Sequence, residues 1–236
     1  MKTIFHPASE RGFANIGWLK SHHSFSFSQF YDPEKMNFGL LRVLNDDFVA
    51  QGMGFGTHGH DNMEIVSIPL SGALKHNDST GREAIINQGD VQIMSAGSGI
   101  KHSEQNNSKT EPVKFLQIWV IPKERDITPR YEQKTFNDED KKNQFLTVVS
   151  PEKEGNNIWI NQDAYFSLGH LDADKQLNYK LHHDNNGVYV FLLEGNIEVA
   201  NQNLNERDAL GVYEVDEISV LAKTDAKVLV IEVPMA

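Results

Sequence analysis

Short apolar runs, broken by turn residues, recur along the whole chain. They are rich in β-branched and aromatic residues and are separated by Gly, Asn and Asp, whereas helix-period patterns are scarce. The clearest predicted strands are residues 38–44, 64–70, 91–94, 115–121, 188–193, 197–200 and 228–233. Many short strands with regular turn signals are typical of an all-β sandwich or barrel. The almost wholly polar stretch 137–144 predicts a linker or a short exposed helix near a domain boundary.

The two halves of the chain echo each other. The segment PLSGAL at 69–74 is similar to LLEGNI at 192–197, and each is followed by a polar pair that ends in Asp, at Asp90 and Asp208. Repetition of this kind indicates a duplicated β-barrel.

Length and charge narrow the class of protein. The 236 residues, 39% of them hydrophobic, suffice for one large domain or two modest ones. A formal charge of −11 without a dense Lys/Arg run disfavours direct nucleic-acid binding and a basic membrane-surface patch. The longest wholly apolar run, 188–193, is too short to span a bilayer, and residues 1–7 lack the apolar core of a secretory signal. We therefore expect a cytoplasmic protein.

Two Gly-rich segments each carry a pair of potential metal ligands at strand spacing. These pairs are His58 with His60 and His102 with Glu104. Residues two apart on a strand point to the same face, so two antiparallel strands would bring three imidazoles and one carboxylate together. The chain has no cysteine, which excludes thiolate ligands.

This donor set suits several divalent ions. Imidazoles with one carboxylate suit Fe(II), Mn, Co, Ni, Cu or Zn. Four protein ligands on an octahedral ion leave two positions for a substrate oxygen and dioxygen, whereas zinc tends to be closed by four ligands. Fe(II) is the preferred ion, and the ligand types leave Mn, Co, Ni, Cu and Zn open.

Glu64 is a rival for the fourth ligand position. It has the same strand parity as His58 and His60, but Glu104 is preferred because it shares a strand and a parity with His102. We expect Glu64 to accept a hydrogen bond from a backbone group or to orient an imidazole.

These same segments resemble the two motifs of the cupins. The first motif, G-x5-H-x-H-x3-E followed by Gly, corresponds to Gly52, His58, His60, Glu64 and Gly72. The second corresponds to Gly89, Gly97, His102 and Asn106, with Ser95 in place of the usual proline and two extra residues before His102.

A denser likeness, over residues 9–133, is to pirin and its bacterial relatives. It is carried by ERG at 10–12, GWL at 17–19, HSFSF at 23–27, LRVLNDD at 41–47, HSE at 102–104, QIW at 117–119 and PRYEQ at 129–133. The resemblance implies a bicupin with two facing jelly-roll barrels, here divided at 1–130 and 131–236. It implies an iron site in the first barrel, with ligands His58, His60, His102 and Glu104, and no metal in the second barrel.

The resemblance also implies an activity, because some members of the family are quercetin 2,3-dioxygenases. The expected substrates are O2 and a flavonol or similar enol or phenol, whose ring opens with release of CO. Glu104 is the candidate proton acceptor. Three alternatives remain open: an iron- or redox-responsive regulator that binds a protein partner, another cupin oxygenase or isomerase, and a structural metal site.

Other residues receive structural interpretations. Met53 and Phe55 have the opposite parity to the histidine pair and are expected to pack outward. Hydrogen-bonded or surface positions are expected for the remaining histidines, namely His6, His22, His23, His76, His170, His182 and His183. The aromatic group Phe25, Phe27, Phe30 and Tyr31 is interpreted as an arm packed on the barrel, with lining of a flavonoid pocket as the alternative.

Overall fold

The structure, a computed structural model, describes residues 1–235. These residues form 22 β-strands and two short 3₁₀ turns, Ala8–Glu10 and Glu139–Lys141, which confirms the all-β prediction. None of the helical segments in this range is long and apolar enough to cross a membrane.

The first lobe is a sandwich of two antiparallel sheets. Its larger sheet contains β2 (Gly12–Asn15), β3 (Leu19–His23), β4 (Leu41–Val49), β6 (Glu64–Ser71), β9 (Asp90–Ser95), β11 (Val113–Val120) and β12 (Arg130–Thr135), in the order β12-β9-β6-β11-β4-β3-β2. Its smaller sheet contains β5 (Gly54–His60), β7 (Ala73–Asp78), β8 (Glu83–Asn87) and β10 (Ile100–Asn106), in the order β5-β10-β7-β8.

The second lobe repeats this plan. Its larger sheet contains β1 (Lys2–His6), β13 (Phe145–Ser150), β14 (Ile158–Trp159), β15 (Tyr165–Leu171), β17 (Asn186–Glu194), β20 (Ala209–Tyr213) and β22 (Ala226–Pro234), in the order β1-β20-β17-β22-β15-β13-β14. Its smaller sheet contains β16 (Gln176–Lys180), β18 (Ile197–Val199), β19 (Gln202–Leu204) and β21 (Glu217–Ala222), in the order β16-β21-β18-β19.

The lobes exchange one edge strand each. Strand β1, at the start of the chain, pairs with β20 in the second lobe, and β12 pairs with β9 in the first lobe. The echoed Asp residues help to fix the exchanged segments: Asp90 accepts a hydrogen bond from Thr135 Oγ1 (2.5 Å), and Asp208 accepts one from the backbone N–H of Ala8 (2.7 Å). The division at residue 130 stays a prediction. Strand β1 precedes it but belongs to a sheet of the second lobe, and β12, which begins at residue 130, belongs to a sheet of the first lobe.

Each of the seven strands singled out in the sequence overlaps an observed strand. The largest displacement is at the first, which was expected from residue 38 and begins at Leu41, because Phe38 and Leu41 pair with each other across a tight turn. The polar stretch 137–144 contains the second 3₁₀ turn. Its Lys141 is buried rather than exposed, and its ammonium donates to the Phe136 carbonyl (3.1 Å).

The two larger sheets pack face to face and share one apolar core. Val66 and Ile118 from the first lobe and Leu229 and Ile231 from the second are fully buried in it. Each such side chain contributes about 1.5–3 kcal/mol when buried. A second apolar cluster fills the interior of the second barrel. It includes Leu171, Val190 and Val230.

The interior of the first barrel is different. Its apolar residues form two small clusters, one around Phe115 and one around Met94. Between them lie buried polar side chains, including Asn45, Ser67 and Gln92. Within residues 1–235, the first barrel therefore has a polar interior that could hold an ion or a polar ligand.

The second barrel buries Glu232, but its carboxylate is saturated with hydrogen bonds. One oxygen accepts from the backbone N–H groups of His182 (2.9 Å) and His183 (3.2 Å) and from Asn186 Nδ2 (2.9 Å). The other accepts from Tyr179 OH (2.9 Å) and His182 Nδ1 (2.8 Å). Burial alone would raise the pKa of Glu232, but the hydrogen bonds from His182, Asn186 and Tyr179 outweigh it and lower the pKa.

Replacing this carboxylate should cost stability in a pH-dependent way. We expect Glu232→Gln to lower the free energy of unfolding by about 2 kcal/mol at pH 7, because an amide cannot accept all of these donors. A group with a depressed pKa contributes stability above its unfolded pKa, and this contribution is lost as the pH falls through the folded value. Urea unfolding between pH 3 and pH 7 should therefore show the deficit shrinking in acid.

Glu214→Gln, at an exposed position, is the matched control and should change stability little at any pH. A deficit for Glu232→Gln that is the same at every pH would contradict this interpretation.

Candidate metal centre

A continuous row of polar residues crosses the larger sheet of the first lobe. Its members are cross-strand neighbours on β3, β4, β11, β6 and β9: His23, Asn45, Gln117, Ser67 and Gln92. All five are buried. We call this set the polar row, and it faces the smaller sheet, as the hydrogen bonds of Gln117 and Ser67 to Glu104 show.

The two predicted ligand pairs lie on adjacent antiparallel strands of the smaller sheet. His58 on β5 lies directly opposite His102 on β10, and one residue is inserted in β5 before the next pair, Phe55 with Glu104. A bulge of this kind reverses the alternation of faces along the bulged strand. Gly54 permits the close approach there, since a Cβ at this position would lie 2.3 Å from the Glu104 carbonyl oxygen.

The bulge makes one expectation wrong. Phe55 was expected to pack outward, but it packs in the barrel with Val49 and Phe115, and its ring lies 5.4 Å from that of Trp18. Met53 is exposed, as expected.

The three predicted histidine ligands come together. His58, His60 and His102 each offer a ring nitrogen, and these atoms all lie within 4.8 Å of one another. The His58 Nδ1 atom hydrogen-bonds to the Gly56 carbonyl (2.8 Å), which leaves Nε2 for an ion. A hydrogen bond from the other ring nitrogen is the usual way in which a ligating imidazole is oriented.

His102 has the environment of a metal ligand. It is buried, and neither of its ring nitrogens has a hydrogen-bond partner among residues 1–235. Burial lowers the pKa of His60 to about 4 and that of His102 to about 3, so both rings are neutral at physiological pH. Neutral imidazoles that lack hydrogen bonds fit a divalent cation.

Glu104 lies fully inside the barrel, and polar-row residues hold it. Ser67 Oγ donates to one carboxylate oxygen (3.2 Å) and Gln117 Nε2 to the other (2.9 Å). Burial raises the pKa of Glu104, against the opposing effect of the histidines and of these hydrogen bonds. Its parity with His102 on β10 is as expected.

Glu104 belongs to a second ligand group that shares His102 with the first. This group consists of His76, His102 and Glu104, whose ligand atoms also lie within 4.8 Å of one another. The predicted four-residue set therefore spans two overlapping groups. Its assignment to one ion stays a prediction.

His76 is a residue of the site that the sequence interpretation missed. It is completely buried opposite Glu104 on β7, its Nε2 hydrogen-bonds to Asp78 (3.0 Å), and its Nδ1 has no partner in the described part of the chain. His76 and Asp78 lie two residues apart after the Gly72 turn, and this spacing could have identified His76 from the sequence.

Glu64 lies outside the metal centre. Its carboxylate accepts hydrogen bonds from Ser95 Oγ (2.8 Å) and from the backbone N–H of Asn161 in the second lobe (3.2 Å). The expected hydrogen bond from a backbone group is therefore present, but Glu64 faces the other lobe because strand parity does not continue through the turn between β5 and β6.

Aromatic side chains stand beside the histidines. The centre of the Trp119 ring lies 4.9 Å from that of His60 and 5.4 Å from that of Phe27. The centre of the Phe27 ring lies 5.3 Å from that of His23. Phe25, in contrast, lies in the core between the lobes. Of the N-terminal aromatic group, Phe27 therefore reaches the wall of the metal centre.

Comparison with known proteins gives close relatives over the whole chain. The Pirin family model matches residues 5–120, and the model of the quercetinase C-terminal cupin domain matches residues 147–233. The quercetin 2,3-dioxygenase of Escherichia coli is 40% identical over 227 residues, which cover 96% of each chain. A pirin-like protein of Caulobacter vibrioides is 37% identical, with coverage of 96% of this chain and 97% of the relative.

Solved structures confirm the bicupin prediction. The bacterial pirin YhhW from Escherichia coli in complex with nickel(II) superimposes with a TM-score of 0.94, at 38% identity and with complete coverage of both chains. An oxalate decarboxylase from Lactobacillus farciminis, at 12% identity and a TM-score of 0.64, shares the fold alone.

Metal binding should depend on His102. We expect anaerobic titration of the chelator-treated protein with Fe(II) or Ni(II) to show a single saturable site, and His102→Ala to weaken it by more than about 100-fold, since this residue belongs to both ligand groups. Calorimetry, together with the rise in melting temperature on metal addition, would measure this.

His183→Ala, on an exposed histidine of the second lobe, should bind metal like the parent protein. Equal affinities of the His102 variant and this control would show that the ion binds elsewhere.

Proposed function

The chain belongs to the pirin family, and on this basis we propose that it is an iron-dependent dioxygenase of the quercetin 2,3-dioxygenase type. Its substrates would be O2 and a flavonol or a similar enol or phenol. The observation that carries the proposal is the cluster of His58, His60 and His102 beside the buried carboxylate of Glu104, in a chain whose close relative bears that enzyme name. Neither ring nitrogen of the buried His102 has a hydrogen-bond partner within residues 1–235.

The proposed ligand set is His58, His60, His102 and Glu104. Three imidazoles and one carboxylate suit Fe(II), and the nickel complex of the related YhhW supports a site that also accepts other divalent ions. When bound, the ion would act as a Lewis acid on the substrate hydroxyl and bring O2 next to the substrate.

Glu104 is the proposed acceptor of the substrate hydroxyl proton. Its burial favours the protonated carboxyl, and the hydrogen bonds from Ser67 and Gln117 fix the orientation of both oxygens. A carboxylate held in place in this way can take up a proton without a large rearrangement.

Trp119 and Phe27 would provide the aromatic wall of the substrate site. Their edge-to-face contact, beside His60, suits a flat phenolic ring. The indole N–H of Trp119 is buried and has no acceptor within residues 1–235, so it is available to a substrate oxygen.

The overall reaction balances without a further reductant. Each oxygen atom of O2 bonds to one of the two carbons that flank the hydroxyl-bearing carbon. The O–O bond and both carbon–carbon bonds to that carbon break, and it leaves as CO with its own oxygen, while the remaining atoms form an ester that carries a carboxylic acid. An iron- or redox-responsive regulator would bind the same ion without this turnover.

An oxygen electrode with quercetin and the anaerobically iron-loaded protein tests the proposal. We expect oxygen uptake and CO release in equal amounts, both dependent on iron and lost in His102→Ala. Glu104→Gln should lower kcat per bound iron by about 10²–10⁴-fold, because the amide cannot accept the proton.

His183→Ala should retain the parent rate. Iron binding without oxygen uptake would overturn the flavonol assignment and favour the regulator. An unchanged rate for Glu104→Gln would overturn only the role of Glu104 as proton acceptor.

A further inference from the structure

A cavity lies at the junction of the two lobes, on the opposite face of β4 from the metal centre. Its volume is about 410 Å³, and its walls come from the segment after β1, from β3, β4 and β11, and from the turn before β20. Small-molecule sites of about 300–1,000 Å³ are common where domains meet.

Cationic side chains dominate this cavity, in a chain whose net charge is −11. Four of them line it: Arg11, Lys20, Lys114 and Arg207. Lys20 and Lys114 are both cross-strand neighbours of Phe48, one on each side, so two lysine residues flank one aromatic residue. The Lys20 ammonium lies 5.5 Å from the centre of that ring.

The two arginines converge on a single carboxylate. Arg207 Nε lies 2.9 Å from Asp46 Oδ2, and Arg11 Nη1 lies 3.6 Å from the same oxygen. The neighbouring Asp47 is buried, and burial raises its pKa to about 7, so it is only partly ionised at neutral pH. Asp46 and the exposed Glu206 therefore leave an excess of positive charge around the cavity.

Arg11 is incompletely compensated. Only 4% of its side chain is exposed, its guanidinium lies over Phe191 at 5.1 Å, and its buried Nε has no acceptor in the part of the chain that the structure describes. Leaving a buried charge without full compensation is costly, and an anion in the cavity would reduce this cost.

Arg207 is held rigidly from the second lobe. It adopts the left-handed conformation at φ 70°, its backbone N–H donates to the Leu192 carbonyl (2.8 Å), and its guanidinium also contacts the Leu193 carbonyl. The second lobe therefore anchors the Arg207 side chain at the cavity wall.

We propose that this inter-lobe cavity binds a small organic carboxylate with an apolar body. The carboxylate would lie among Arg11, Arg207 and the two lysines, and the body would lie against Phe48. This site is separate from the metal centre, and the proposal does not depend on the reaction proposed there.

Benzoate, with uncharged benzamide as its matched analogue, tests the proposal by calorimetry at constant ionic strength. We expect benzoate to bind the full chain with one-to-one stoichiometry, more weakly as KCl is raised, and benzamide not to bind. The Kd should be the same for the metal-loaded and the chelator-treated protein. The double variant Lys20→Gln/Lys114→Gln should raise the Kd by about fivefold to tenfold, since each exposed charge contributes modestly.

Lys109→Gln, an exposed lysine on the connection between β10 and β11, is the charge-matched control and should leave the Kd unchanged. Absence of saturation by about 10 mM benzoate, or an equal Kd in the double variant, would overturn the proposal. Binding that requires the metal would place benzoate at the other site. Saturable binding of inorganic phosphate without benzoate binding would overturn the assignment to an organic carboxylate.

Discussion

Burying the carboxylate of Glu104 in the first barrel is the constraint on which the site depends. Removing such a group from water costs several kcal/mol unless polar partners surround it. The chain supplies them from two sheets: Ser67 and Gln117 of the polar row donate hydrogen bonds, and the imidazoles of His76 and His102 on the smaller sheet offer ring nitrogens within 4.8 Å of a carboxylate oxygen. The polar interior and the division of the apolar core into two clusters both follow from this requirement.

The second barrel has the same fold but satisfies its buried carboxylate in a different way. It also buries a carboxylate, Glu232, but five hydrogen bonds saturate it and aliphatic side chains fill the rest of the interior. Among residues 1–235, the first barrel therefore contains buried imidazole nitrogens without hydrogen-bond partners, whereas apolar side chains fill the second barrel. Because the larger sheets share one core and exchange β1 and β12, the second barrel also fixes the back wall of the metal centre.

The sequence correctly predicted the features that depend on residues close together in the chain. Period-2 spacing placed His102 and Glu104 on one face of β10, and the apolar runs located the principal strands. The predictions failed where the pairing of strands distant in the chain determines which way a side chain points. The bulge in β5 turned Phe55 inward, and the turn before β6 directed Glu64 to the other lobe.

The polar row was out of reach of the sequence for the same reason, and so was the pairing of His76 with Glu104, although the spacing of His76 and Asp78 was a usable signal. Their members are distant in the chain and meet only through the register of β3, β4, β11, β6, β9 and β7, which no local pattern specifies. The exchange of β1 into the second lobe is likewise a consequence of tertiary packing.

The most direct test of the central claim is anomalous diffraction at the iron edge from crystals loaded anaerobically with Fe(II). The account predicts a single peak in the first lobe, within about 2.0–2.3 Å of one nitrogen from each of His58, His60 and His102 and of one Glu104 oxygen. A peak bound by His76, His102 and Glu104 without His58 and His60, or a peak in the second lobe, would contradict it.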